Sequence, residues 1–114
     1  MIYEDLFLKA LILTLLIEIP IVAIITKLLF KSKLKIWKII FIGACASILT
    51  LPYVWFIFPK YILDYTAYLI VAELFAFLFE TIFYWQTLEL RFDKALLISL
   101  LANLISFLIG LIIL

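Results

Sequence analysis

LFLKALILTLLIEIPIVAIITKLLF, Leu6–Phe30, decides the class of this chain. It holds lysine only near its two ends, at Lys9 and Lys27, and one carboxylate, Glu18, near its middle. About 20 mostly apolar residues rising 1.5 Å each suffice to cross a hydrocarbon core of roughly 30 Å. Three further stretches meet the same test: Ile36–Phe58, Tyr65–Leu88 and Ala95–Leu114. With 70% of its 114 residues hydrophobic and a mean hydropathy of +1.40, the chain lies far outside the range of soluble domains, which carry roughly 45–50% apolar residues.

Spans of this length read as helices. A barrel strand is about half as long and alternates in polarity, whereas backbone polar groups in lipid are otherwise satisfied only within a helix. The connections are a few residues each, so successive helices are expected to run antiparallel, as one up-down four-helix transmembrane domain over residues 1–114. The opening MIYEDLF is acidic rather than basic and its apolar run exceeds a signal-peptide core, so the first helix is expected to remain in the mature protein. Cys45 stands alone and reads as a small packing residue.

Charge sets an expected orientation. Lys27, Lys31, Lys33, Lys35 and Lys38 cluster around the first loop with no acidic residue among them, which places that loop in the cytoplasm. The third loop, with Arg91 and Lys94, follows it inside, and both termini then lie on the non-cytoplasmic side of the cell membrane. Tyrosine and tryptophan collect at both expected boundaries, as headgroup-level rings do. The basic loop also suits anionic lipid headgroups. A net charge of +1, with basic residues confined to the membrane surface, gives no footprint for nucleic acid.

The polar residues inside the spans fall on stripes. Glu73, Glu80 and Tyr84 share one face of the third helix, the two carboxyls about 10 Å apart along its axis. Ser99, Asn103, Ser106 and Gly110 share a face of the fourth; Gly43, Ser47 and Thr50 share one of the second. These stripes are expected to face one another, with the glycines and serines mainly serving close packing.

The glutamates are a different matter of magnitude. Taking aspartate as a proxy, two ionised carboxylates in the third helix cost roughly 5–7 kcal/mol on the insertion scale, against a return of about 3–6 from its apolar residues. Every lysine and arginine lies near a boundary, so no internal cation is available. A proton, a bound cation, a hydrated cavity or a partner's basic residue must stand in. Glu80, level with Asn103, is the stronger functional candidate; Glu73, level with Thr50, is expected to form a protonated bridge. Pro20 and Pro52 each follow a polar residue by two positions, Glu18 and Thr50, and withhold a backbone donor there.

Several chemistries are excluded. There is no histidine, one cysteine and no glycine-rich phosphate loop, so histidine-dependent catalysis, thiolate metal cages and nucleotide cradles are absent. No cofactor is expected. Which metal, if any, the chain takes is left open, although an all-oxygen set of carboxylates, Asn103 and Thr50 would favour a hard cation.

Glu18 with Pro20, TLPYVW from Thr50, Glu73 with Glu80 and Tyr84, and SLLANLISFLIG from Ser99 together resemble a pattern in small prokaryotic membrane proteins of uncharacterised activity. The length, the four expected helices and Glu18 are also similar to the small multidrug resistance family, a resemblance that implies proton-coupled export of organic cations by a homodimer. Glu73 and Glu80 are additional to that family's pattern, and the lysine-rich first loop departs from its dual topology. Three functions follow from the residues. The first is proton- or cation-linked transport or a channel, using Glu18, Glu80, Glu73, Asn103, Thr50, Tyr84 and Ser106. The second is a non-catalytic subunit or assembly factor that pairs its acidic stripe with a membrane-protein partner or a second copy. The third is an enzyme acting on lipid within the membrane, for which no nucleophile with its base is visible.

Overall fold

The computed structural model describes residues 2–113 as helices joined by short loops, with no strand among the described residues. Helix α1 (Ile2–Ile24) runs on through a π-helical turn, Ile25–Leu29; α2 (Ile36–Pro52) continues through a second π turn, Tyr53–Ile57, into the short α3 (Phe58–Tyr61). Helices α4 (Tyr65–Thr87) and α5 (Phe92–Ile113) complete the chain. Four segments are long and apolar enough to cross a membrane: Tyr3–Leu29, Ile36–Tyr61, Tyr65–Thr87 and Phe92–Ile113. The molecule is thus consistent with a multi-pass membrane protein.

The helices outrun the apolar stretches at their polar ends. Glu4 and Asp5 occupy the first turn of α1 and Asp93 that of α5, where carboxylates complement the positive end of the helix dipole. Hydropathy alone starts these helices at Leu6 and Ala95, after the residues that favour their N-termini. The expected end of the fourth span, Leu114, lies outside the described residues. Asp64 caps α4 by accepting a hydrogen bond from the backbone N–H of Ala67 at 2.9 Å. Pro20 and Pro52 both sit within helices that continue past them.

Helix α1 packs against α2 and α5, and α4 packs against α5 and α2, so the four long helices close into a ring. At one end, which we term the basic end, the loop after the first π turn lies beside the loop between α4 and α5, and Lys94 Nζ stands 5.1 Å from the ring centre of Phe30. Val22, Ile39, Tyr84, Leu88, Ala95, Ile98 and Ala102 fill the interior toward that end with no exposed surface. Close approach is carried by alanines rather than glycines. A methyl group added at Gly43 would meet Ile19 and Val22 at an ordinary 3.7–3.8 Å, and one at Gly110 would meet nothing within 4 Å. The outer surface is lined by leucine, isoleucine and phenylalanine side chains such as Leu16, Phe41, Leu74, Leu78, Ile82 and Leu108, a face suited to lipid.

Candidate functional site

Helices α1, α2, α4 and α5 each contribute polar side chains to one node. Glu18, 2% exposed, accepts hydrogen bonds from Ser47 Oγ at 3.1 Å and from Ser106 Oγ at 2.8 Å. Glu80, 1% exposed, accepts from Asn103 Nδ2 at 3.1 Å and Tyr84 OH at 3.3 Å on Oε1, while its Oε2 lies 3.2 Å from Thr50 Oγ1. The Glu18 and Glu80 carboxyls are within hydrogen-bonding reach of each other. Asn103 is held in turn by Ser99, whose carbonyl takes a hydrogen from Nδ2 at 2.9 Å, and Ser99 Oγ donates to the Phe77 carbonyl at 2.8 Å.

Counting hydrogens constrains this node. The Thr50 hydroxyl has one hydrogen and three acceptors in range: the Ala46 carbonyl at 2.9 Å, the Ser47 carbonyl at 3.3 Å and Glu80 Oε2 at 3.2 Å. When that hydrogen goes to the nearest acceptor, as a buried carbonyl favours, the Thr50–Glu80 contact needs a hydrogen from the carboxyl itself. Electrostatics leads to the same place. Two ionised carboxylates ~4 Å apart would repel by about 4 kcal/mol even at an effective dielectric of ~20, and neither has a lysine or arginine in reach to offset this. The node therefore requires a shared hydrogen or a cation.

The pair forms the inner wall of an open cavity of about 510 Å³, which Glu73, Asn103, Ser106 and Gly110 also line and which, among the described residues, no lysine, arginine or histidine faces. Glu73 is half-buried and, among the described residues, its carboxyl has no hydrogen-bond partner. Tyr3, Trp55 and Tyr68 border the cavity toward the end opposite the basic loops, the aromatic end.

The rim depends on a proline not singled out by the sequence. Pro59 has no N–H, so one helical donor is missing beside the Val54 and Trp55 carbonyls, which precede it by five and four positions and would be served by it in a π or an α turn respectively. Tyr68 OH donates to Val54 O at 2.7 Å, and Tyr3 OH donates to Trp55 O. Two tyrosines from two other helices donate to the carbonyls beside this gap, and tie the second π turn to α1 and α4. Tyr3 also packs against the Trp55 and Phe56 rings, at 5.3 and 5.7 Å between centres.

All seven sequence-selected residues come near this node, but one pairing differs from that expected. Asn103 meets Glu80, as their common level implied, whereas Thr50 meets Glu80 rather than Glu73. Helical side chains lean toward their own N-terminus, so the Glu80 carboxyl is displaced from its own backbone in the direction of Ala76. Depth counted by backbone position ignores that lean. Glu73 lines the cavity instead. The three glutamates do not gather around one point: among the described residues no group of three His, Cys, Asp or Glu side chains is placed to hold a metal ion. Tyr3, Tyr68 and Pro59 are site residues that a search for polar groups inside the spans passes over. Their signal was a proline followed nine residues later by a tyrosine, legible only with the helix pairing in hand.

No protein-family model, curated protein or solved structure matches this chain.

Proposed function

We propose that this protein is a proton- or cation-linked membrane transporter or channel in which the Glu18–Glu80 pair holds one hydrogen until a cation displaces it. The observation that carries the reading is a pair of touching carboxyls on the wall of an open cavity that, among the described residues, no basic side chain faces. In the resting state the pair shares a hydrogen. A cation entering the cavity meets Glu73 first, then the pair, and the displaced proton leaves to water by the same opening. Thr50, Asn103, Tyr84 and Ser106 hold the two carboxyls in register while the charge between them changes. The inward face of the carboxyls favours this reading over pairing with a partner protein through lipid.

The orientation that accompanies it is four antiparallel transmembrane helices with the basic end in the cytoplasm and both termini outside, supported by the lysine-rich first loop and by Arg91 and Lys94 in the third. The cavity then opens to the outer side. The test is proton release from purified protein in weakly buffered detergent on addition of sodium, potassium or ammonium chloride. We expect release from wild type and its loss in Glu18→Gln. Absence of release from folded wild-type protein with all three salts, together with no cation flux into proteoliposomes, overturns the proposal.

A further inference from the structure

A second cavity, remote from the carboxyls, has chemistry of its own. About 450 Å³ in volume, it lies at the basic end between the loop that follows the first π turn and the loop that joins α4 to α5. Lys33, Arg91 and Lys94 line it, with Glu89 the one acidic member. Phe30, Leu34, Leu88 and Leu90 supply apolar wall. The cations come from the first loop and, more than fifty residues later, from Arg91 in the α4–α5 loop and Lys94 in the first turn of α5, and only the fold brings them to one opening.

The neighbouring charges leave these three available. Lys27, the other buried-side lysine of this end, is spent on the chain itself: its Nζ donates to the Ser32 carbonyl at 3.0 Å and to the Leu34 carbonyl, fixing the loop. Lys94 is held over the Phe30 ring rather than by a carboxylate. Arg91 makes a 3.4 Å ion pair with Asp93, but both side chains are largely exposed, and such a pair is worth about 0–1 kcal/mol. A dianion offered to the cavity therefore competes only with a weak partner. Basic residues alone serve topology, and Lys38 on the same loop region does so with its Nζ over the Trp37 ring, outside the cavity. What sets the lining residues apart is convergence on a space with an apolar wall beside the charges.

We propose that this cavity binds a phosphate ester, with Lys33, Arg91 and Lys94 around the phosphate and Phe30, Leu34, Leu88 and Leu90 against the carbon chain it carries. The phosphate of an anionic lipid and a free phosphate share the charged half of this chemistry. The leucine wall favours the lipid, because free phosphate gains nothing from it. Arg91 contributes a planar fork suited to two phosphate oxygens, while the lysines act as point charges.

The test titrates purified protein in neutral detergent with short-chain phosphatidic acid, and separately with inorganic phosphate, reading tryptophan fluorescence and lipid adducts by native mass spectrometry. Wild type is expected to bind the lipid with saturation. Arg91→Gln with Lys94→Gln should weaken binding by at least about tenfold, whereas Lys38→Gln should change it less than about twofold, since the charge it removes lies outside the cavity. Lys33→Gln, at an exposed side chain, carries the comparison if the double variant is not folded by circular dichroism. Competition by millimolar inorganic phosphate identifies the ligand as phosphate itself; its failure to compete identifies the lipid. Absence of saturable binding of either ligand, or an equal loss in Lys38→Gln, overturns the proposal.

Discussion

The two ends of this bundle are built on opposite principles although the same four helices form both. Toward the basic end, Ile39, Tyr84, Leu88 and Ile98 are wholly buried and alanines bring the helices close. Toward the aromatic end the helices part around a cavity, and what joins them is a rim of rings and tyrosine hydroxyls on the carbonyls before Pro59. The carboxyl pair sits at the boundary between these regions. A hydrogen-bonded node there is packed on one side and open to the cavity on the other, the arrangement on which the proposed exchange of a proton for a cation rests.

The comparison can be broken most forcefully at Tyr84. Tyr84→Ala removes a fully buried ring and is expected to cost about 3–5 kcal/mol in unfolding from detergent, while Phe107→Ala, on the cavity wall, should cost less than about 1.5. Equal costs would mean that the open end is as tightly packed as the closed one.

The two glutamates of α4 provide the next contrast. Glu80→Ala deprives Tyr84 and Asn103 of an acceptor and Thr50 of its carboxyl partner, and should destabilise by about 2–3 kcal/mol, at ~0.6–1 for each hydrogen bond. Glu73→Ala loses no hydrogen bond and should stay within about 0.5 kcal/mol of wild type in the same measurement. Glu80→Gln should fall near wild type, because an amide reproduces the shape of a carboxylic acid, keeps one acceptor oxygen and places N–H donors where the acid has its O–H. A large loss in Glu80→Gln would instead indicate an ionised carboxylate held by an unidentified cation.

A smaller effect sharpens the account of the rim. Tyr68→Phe leaves the Val54 carbonyl without its donor and should cost about 0.5–1.5 kcal/mol. In a Pro59→Ala background, where a backbone N–H returns at position 59, the same change should cost measurably less. Identical costs in both backgrounds would show that proline has no part in the need for Tyr68.

The smallest effect belongs to the basic end. Lys31 and Glu89 follow their helices with φ of 51° and 55°, a left-handed conformation in which the side chain crowds the backbone. Glu89→Gly should stabilise by up to about 1 kcal/mol through relief of that crowding, partly offset by the freer unfolded chain. Destabilisation would point to a contribution from the Glu89 carboxylate inside the basic cavity.

Much of the fold was legible before any coordinates. Runs such as Ile36–Phe58 are too long and too evenly apolar for anything but a helix in lipid, and the observed Ile36–Tyr61 differs by less than a turn. The site was legible as a set of residues but only in part as a set of pairs. Asn103 with Glu80 follows from their common depth, but Ser47 with Glu18 and Thr50 with Glu80 depend on how far each side chain leans and which helices adjoin, and neither is encoded in spacing along one helix.

The sequence by itself determined that four apolar segments would be helical and that carboxyls within them would lack a neighbouring cation, because backbone hydrogen bonding in lipid and the cost of buried charge act on each segment separately. Only the tertiary structure decided that Glu18 and Glu80 touch while Glu73 stands free in a cavity. Contact between side chains on different helices is set by packing and by the carbonyls beside Pro59, which act between segments.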